Sequence, residues 1–465
     1  MNIKFLFPNF PNSNEVFGIQ IYSWNYQQFD RPFVLSLHFN CMHRNKTRIF
    51  FKKALKLIGP GFITGASDDD PSGIGTYSQT GSLFGLRQLW TSLYTLPFMI
   101  VIQEMCGRVG LVTGTGIAAV IKTHFGKKIL YPLILLLLLA NTINVGADLG
   151  AMASSAQMIF GLPFMLWLVI MTIMTVALIV FVPYRLYVRY LKFLCITLLG
   201  YIATVIVVKQ DWNAVLKNSL IPTIILDKDY MMNIVALLGT TISPYLFFWQ
   251  ANEEVEDEDA LKTGLKPTPT EKIPNGKHIK MMRMDTVVGM TFSNIINFFV
   301  IDASAITLGA HGMHNIQTAT DAAAALKPFA GDFAYILFGL GIMGTGLLAV
   351  PVLAASAGYA LAETFNWKAS LSLKYFQAPG FYLVIAIISL SGIAIQFLPI
   401  APFKWLYYTA IINGVAAPPI MVILLIICNR KKIMGNYINP PLANVMGIFI
   451  TAVMALAAVA MFIYM

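Results

Sequence analysis

The sequence feature that most restricts the fold is a run of three aspartates inside an otherwise apolar stretch, residues 59–90. Asp68, Asp69 and Asp70 are followed directly by Pro71. A carboxylate near the centre of a bilayer costs roughly 2.5 to 3.5 kcal/mol, so these side chains need cations, water or protein groups around them. Because Pro71 also disfavours helical geometry at Asp70, the stretch predicts a membrane helix that is broken at mid-depth around a polar site. The alternative is an extramembrane turn, which Asp-Pro-Ser-Gly also favours.

Composition indicates a membrane setting for the rest of the chain. Hydrophobic residues make up 57% of the 465 residues and charged residues only 12%, about half the charged fraction that is usual in soluble domains. The net charge of +10 does not indicate a nucleic-acid partner, because the basic residues lie between hydrophobic spans and not on one domain. The four cysteines lie far apart without a CxxC pair, so neither a disulfide framework nor a zinc or iron-sulfur site is expected.

A hydropathy window of about 19 residues predicts an all-α polytopic membrane protein with about eleven transmembrane helices. Their approximate ranges are 56–80, 89–108, 129–158, 163–183, 191–208, 231–251, 286–309, 333–361, 381–399, 403–427 and 442–464. Residues 1–45 hold no such span and are predicted to be a disordered tail. Translation that starts at Met42 would fit the basic segment that follows this residue and precedes the first span. Residues 46–465 are predicted to form a single transmembrane transporter domain.

Positive charge is distributed unevenly between the two sides that these spans define. With the N-terminus inside, the inner segments hold 23 of the 32 Lys and Arg residues, and the outer segments hold six. This bias predicts a cytoplasmic N-terminus and an external C-terminus, in the plasma or inner cell membrane. The inner segment that begins at Asn252 has mixed charge and is expected to be a solvated, mobile linker.

Spans one and six share an interruption by proline after a short polar stretch, DDDPSG in the first and TTISPY in the sixth. Five spans separate their starts, which predicts inverted five-helix repeats with paired broken helices at the membrane midplane, the LeuT-like architecture. Repeat one is expected over about 55–209 and repeat two over about 230–427, with an extra span at about 442–464. For Pro244 alone, a simple helix kink is the alternative interpretation.

The sequence resembles the Nramp (natural resistance-associated macrophage protein) divalent-metal transporters. The first span carries GPGF, then Asp70 and Pro71, and then a glycine-rich segment. The second span carries RVGLVTG, and the third carries Asp148 followed by Leu149. The resemblance covers about residues 55 to 465 and implies that a metal ion is bound where spans one and six are broken. The expected partners are therefore a divalent metal substrate and the lipid bilayer, with no cofactor.

The chain departs from the family pattern at the residues to which the resemblance assigns metal binding. Gly73 replaces the ligand asparagine, Ser243 replaces the ligand methionine, and Tyr245 replaces the histidine. Without the thioether, the donors are oxygens from Asp70, Ser243 and backbone carbonyls such as that of Thr240, which favours hard cations such as magnesium. This pattern resembles the Nramp-related magnesium transporter branch.

Two further carboxylates, Asp68 and Asp69, adjoin this site. Either they bind the metal directly, or they face an aqueous vestibule and raise the local cation concentration. The candidate metal-site residues are Asp68, Asp69, Asp70, Gly73, Thr240 and Ser243.

The resemblance also bears on the energy source. The family glutamate that lies three residues after Asp148 is Ala151 here, and the phenol of Tyr245 does not ionise near neutral pH as a histidine does. Asp148 and Tyr245 are therefore interpreted as remnants of a proton path. Transport is expected to be driven by the membrane potential with little or no proton coupling.

Two other transporter classes remain open. One is a proton-coupled manganese or iron Nramp transporter. The other is an amino-acid or other organic-substrate transporter of the same architecture, although three adjacent aspartates would repel the carboxylate of an amino-acid substrate. The chain has no P-loop, nucleophile elbow or GxGxxG motif in a strand-helix setting, so it is not expected to be an enzyme. The HxxH pair of His311 and His314 lacks a nearby Glu or Cys pattern and is more typical of a turn than of a metal site.

Overall fold

The computed structural model describes residues 60–182, 186, 194–263 and 276–464. Within these ranges the regular secondary structure is helix, and turns and loops connect the helices. The longer helices, labelled α1 to α15 in chain order, are Pro60–Asp68, Pro71–Phe84, Trp90–Thr113, Ile117–Phe125, Lys127–Phe160, Phe164–Phe181, Leu199–Val207, Trp212–Leu220, Lys228–Thr241, Pro244–Thr263, Gly276–Thr307, Ala334–Phe365, Pro379–Ile393, Pro402–Asn429 and Pro441–Tyr464. Nine segments of the described ranges are long and apolar enough to cross a membrane. The broken first span and the shorter apolar helix Ile196–Val207 occupy the positions of the two other predicted spans.

Several predictions concern residues outside the described ranges. These are the disordered tail 1–45, the start at Met42, the beginning of the first span, the last residue of the fourth span, the first residues of the fifth span and residues 264–275 of the predicted linker.

The first span consists of the two helices α1 and α2, which are separated at Asp69 and Asp70. Asp70 is the N-cap of α2, with φ −69° and ψ 169°, and its side chain accepts a hydrogen bond from the Gly73 N–H. Pro71 lies in the first helical turn, where its missing N–H has no intrahelical partner to lose. The predicted break is confirmed, and it coincides with an N-cap.

The sixth span is broken as predicted, because α9 ends at Thr241 and α10 begins at Pro244. The prediction of a solvated linker from Asn252 onward is wrong for residues 252–263, which continue α10. Asn252 is only 7% exposed. Glu256 further along accepts hydrogen bonds from the Leu371 N–H at 2.9 Å and from Ser372 Oγ at 3.1 Å. These donors compensate for partly removing Glu256 from water. Residues 252–257 are therefore buried or half-buried in spite of their charge.

Helix α11 runs beside both halves of the first span. A Cβ atom on Gly65 of α1 would lie 2.2 Å from the Gly289 carbonyl oxygen, and one on Gly81 of α2 would lie 2.2 Å from the Ile301 carbonyl oxygen. Glycine permits this backbone contact, as is common between membrane helices. The Gly61 N–H at the start of α1 also donates to Asp285 Oδ2 of α11 at 2.7 Å. One continuous helix thus positions both half-helices.

The substitution Gly65→Ala should lower the free energy of unfolding by about 1 to 3 kcal/mol, because the added methyl group forces α1 away from α11. Thermal unfolding of the purified protein in detergent would measure the loss. Gly276→Ala is the matched control, since a Cβ atom there has no heavy atom within 4 Å. Equal melting temperatures for both variants would contradict the close approach of α1 and α11.

Candidate metal site

The carboxylate of Asp70 lies where α2 begins and is 2% exposed. Its Oδ1 accepts hydrogen bonds from the Gly73 N–H at 2.6 Å and from Ser72 Oγ at 2.8 Å. Its Oδ2 accepts one from Asn144 Nδ2 of α5 at 3.3 Å. These donors are neutral, and together with the N-terminus of α2 they stabilise a negative charge without cancelling it. The charge therefore remains available to a cation.

Gly73 brings the two breaks together. A Cβ atom on Gly73 would lie 3.4 Å from Thr240 Oγ1 of α9, 3.3 Å from Asp70 Oδ1 and 3.0 Å from the Asp68 carbonyl oxygen. Gly73 lies inside α2, so its backbone conformation does not require glycine. These distances are shorter than ordinary carbon contacts, so the absence of a side chain at Gly73 lets Asp70 and the end of α9 approach each other closely.

Ser243 is one of two non-helical residues between α9 and α10. Its Oγ lies 2.8 Å from the Gly239 carbonyl oxygen and 2.9 Å from the Thr240 carbonyl oxygen, and it donates to them. A hydroxyl that donates its one hydrogen keeps its lone pairs for a cation. The second break therefore presents a hydroxyl oxygen and backbone carbonyls, and Thr240 and Ser243 are each 2% exposed.

Asp68 and Asp69 contact a helix that the sequence analysis did not connect with them. Ser293 Oγ of α11 lies 2.8 Å from Asp68 Oδ2 and 3.0 Å from Asp69 Oδ1. Both carboxylates are 1% exposed, so they do not face an open vestibule in this conformation. Over the described ranges, no group of three or more His, Cys, Asp or Glu side chains is arranged to hold a metal ion. A metal at the breaks would therefore combine Asp70 with hydroxyl and carbonyl oxygens.

Asp148 and Tyr245 both contact the broken first span. Asp148 Oδ1 accepts a hydrogen bond from the Ser72 N–H at 3.1 Å, so this carboxylate supports the first turn of α2. The Tyr245 hydroxyl donates to the Ser67 carbonyl oxygen at 3.0 Å, which ties α10 to the end of α1. Ala151, one turn beyond Asp148, is fully buried.

Asn144 and Ser293 contact aspartates of the candidate metal site, and the sequence analysis missed both residues. The only sequence signal for them is a polar residue inside an apolar span: Asn144 ends the stretch NTIN of α5, and Ser293 begins the pair SN of α11. Asn233 of α9 is a third such residue. Its Nδ2 donates to Thr80 Oγ1 of α2 at 2.9 Å and also contacts Gln88 Oε1. This contact joins α2 to α9 beyond the breaks.

The two histidines of the HxxH pair contact different backbone carbonyls. His311 Nδ1 lies 2.5 Å from the Thr307 carbonyl oxygen, whereas His314 Nδ1 lies 2.9 Å from the Ser82 carbonyl oxygen. Each ring is held by a different part of the backbone, in agreement with the prediction of a turn.

A family model described as natural resistance-associated macrophage protein-like matches residues 61–464. The chain belongs to the Nramp family. Among the similar proteins, the divalent metal cation transporter MntH of Caldanaerobacter subterraneus is 24% identical over 418 residues, which are 87% of this chain and 92% of that protein. The protein of the same description from Clostridium acetobutylicum is 27% identical over 421 residues, which are 87% of this chain and 90% of that protein.

Solved structures show the same fold for this Nramp chain. The manganese transporter of Eremococcus coleocola aligns with a TM-score of 0.68 at 18% identity, covering 88% of this chain and 86% of that chain. Mhp1, a nucleobase-cation-symport-1 family transporter, aligns with a TM-score of 0.52 at 14% identity, covering 88% of this chain and 92% of that chain. At these identities the comparison concerns the fold alone, and it confirms the predicted LeuT-like architecture.

Asp70→Asn should abolish divalent-metal binding with little change in stability, because the amide oxygen can still cap α2 while the charge is lost. Asp70→Ala should lose the charge and the cap together, and the missing cap costs about 0.5 to 2 kcal/mol. Calorimetric metal titration and thermal unfolding of the same purified samples separate the two effects. Metal binding by Asp70→Asn at the affinity of the unchanged protein would exclude Asp70 as the charged ligand.

Proposed function

We propose that this Nramp chain is a secondary transporter of divalent metal cations in the plasma or inner cell membrane, with magnesium as its preferred substrate and manganese also carried. The observation that carries the proposal is the carboxylate of Asp70, which is buried among neutral donors at a helix break. Gly73 lies beside it, and Thr240 and Ser243 supply hydroxyl and carbonyl oxygens at the second break. Similar proteins described as divalent metal cation transporters support the class of substrate.

The preference for magnesium rests on the chemistry of these donors. Asp70, Ser243 and the Thr240 carbonyl supply oxygen, which suits hard cations, whereas a thioether would favour softer ones. Magnesium dehydrates reluctantly and usually keeps several waters while one or two carboxylates bind it. Gly73 adds no side-chain donor, so fewer protein atoms compete with the waters of such an ion. Asp68 and Asp69 then strengthen the negative potential at the first break from the side that faces Ser293.

The proposed driving force is the membrane potential. Two positive charges that cross 100 mV gain about 4.6 kcal/mol, enough for roughly thousandfold accumulation. The positions that the resemblance assigns to proton relay hold Ala151 and Tyr245, and the Tyr245 hydroxyl is engaged with the Ser67 carbonyl oxygen at 3.0 Å. A hydroxyl used to hold two helices together is poorly suited to pass protons.

A second candidate is proton-coupled manganese transport, and Asp148 is the observation that favours it. This fully buried carboxylate lies against the first turn of α2, and its Oδ2 has no hydrogen-bond partner among the described residues. The similar structure from Eremococcus coleocola is described as a manganese transporter. The experiments below separate the two candidates.

A sulfur donor at the second break should change the selectivity. Ser243→Cys should shift the preference from magnesium towards manganese and cadmium, since cysteine adds sulfur and is almost the same size as serine. Ser243→Met should shift it more strongly where the larger side chain is accommodated. The expected change is about tenfold or more in the ratio of cadmium to magnesium uptake, measured in liposomes at a fixed potential.

Ser243→Ala is the control for this experiment, because it removes the hydroxyl without adding sulfur. It should weaken uptake of all these ions without favouring cadmium. If the ratio of cadmium to magnesium uptake is the same in the Cys, Met and Ala variants, Ser243 does not contact the transported ion.

The proposed coupling predicts that magnesium uptake into liposomes increases with a more negative interior while the internal pH stays constant. A pH-sensitive dye and a magnesium-sensitive dye in the same liposomes would measure both quantities. Asp148→Asn should keep the hydrogen bond from the Ser72 N–H and leave the dependence of magnesium uptake on membrane potential unchanged. Acidification that follows metal entry and disappears in Asp148→Asn would establish the proton-coupled candidate instead.

A further inference from the structure

Two basic segments that are distant in sequence lie together at one end of the helix bundle. The Arg430 guanidinium carbon lies 4.3 Å from the centre of the Phe125 ring, a cation-π contact that joins the end of α14 to the end of α4. Exposed cations adjoin this contact on both segments. We call the following five residues the basic patch: Lys127, Lys128, Arg430, Lys431 and Lys432.

Among the described residues, no acidic side chain is paired with the basic patch. Residues 105–147 and 364–465 contain no Asp or Glu, and over the described ranges no ion pair involves a patch residue. Glu363, at the end of the neighbouring helix α12, accepts hydrogen bonds from the Gly116 N–H at 2.6 Å and the Ala119 N–H at 3.1 Å. That carboxylate is therefore engaged at the opposite end of α4.

The arrangement is electrostatically unfavourable within the protein. Lys127 and Lys128 are the first two residues of α5, where the helix dipole places further positive charge. Lys431 and Lys432 begin a short helix that ends at Met434. An anion from outside the chain would relieve this concentration of like charge.

The basic patch borders apolar side chains that are exposed on the outside of the helix bundle. Tyr131 and Leu135 of α5 are 46% and 58% exposed, and Val422 of α14 is 45% exposed. Since a helix rises about 1.5 Å per residue, Tyr131 lies only about 6 Å deeper than Lys127. Tyrosines at this depth typically mark the membrane interface. This spacing predicts that the five cations lie at the level of the lipid headgroups.

We propose that the basic patch binds the phosphate group of an anionic phospholipid in the surrounding leaflet. The five cations supply charge complementary to the headgroup, and the neighbouring apolar surfaces of α5 and α14 contact its acyl chains. This site is separate from the metal site, and its test does not depend on transport.

The test compares the full chain in nanodiscs of phosphatidylcholine alone and of phosphatidylcholine mixed with phosphatidylglycerol. Native mass spectrometry counts the phosphatidylglycerol molecules that the released protein retains, and thermal unfolding gives the stabilisation by this lipid. Replacement of Lys127, Lys128, Lys431 and Lys432 by Gln should weaken retention at least about tenfold. Arg430 is left unchanged because its contact with Phe125 is structural.

Two matched variants serve as controls. Replacement of the same four lysines by Arg should keep the retention, because the charge remains. Replacement of Lys209, Lys217, Lys228 and Lys404 by Gln removes equal charge from the predicted outer side and should also keep it. If the fourfold Gln variant does not fold, the pair Lys127→Gln and Lys128→Gln gives the same comparison on a smaller scale.

Equal retention of phosphatidylglycerol by the unchanged protein and the folded Gln variant would overturn the proposal. Equal retention of the two lipids by the unchanged protein would do the same. Stabilisation by inorganic phosphate as large as that by phosphatidylglycerol would show that the basic patch takes a free anion and not a lipid.

Discussion

The hydrogen bond from the Gly73 N–H to Asp70 Oδ1, 2.6 Å long, is the interaction on which the rest of the site depends. A helix that starts inside a bilayer must satisfy its first N–H groups without water, and the Asp70 carboxylate does this for α2. The same carboxylate is the charge proposed to bind the metal. One buried group thus starts the half-helix and, in the proposed function, also holds the cation.

The break in the first span is tolerated because an unbroken helix supports it. Glycines let α1 and α2 touch the backbone of α11, and Ser293 of that helix contacts the two carboxylates that precede the break. Helix α11, with the Ser293 hydroxyl beside the break, keeps the acidic residues within protein and away from lipid. Motion of α1 relative to α11 would therefore change the surroundings of Asp68 and Asp69 directly.

The residues that differ from the family pattern lie at points where the helices meet. Gly73 faces Thr240 across the two breaks, Ser243 bonds to the end of α9, and Tyr245 bonds to the end of α1. A change of side chain at such a position alters the ligand chemistry and the contact between half-helices together. Substitutions at these positions are therefore expected to change selectivity and coupling together.

The sequence by itself determined the membrane class, the positions of the spans and both breaks, because these depend on local hydropathy and on proline geometry at Pro71 and Pro244. It also pointed to Asp70 and Ser243 through a resemblance carried by short motifs. Only the tertiary structure decided that Ser293 contacts Asp68 and Asp69 and that Asn144 contacts Asp70, because such pairs depend on how distant helices are rotated and packed. The same reason explains why residues 252–263 form a helix and not a linker: their partners, such as the Leu371 N–H for Glu256, lie more than a hundred residues away, where no local pattern reveals them.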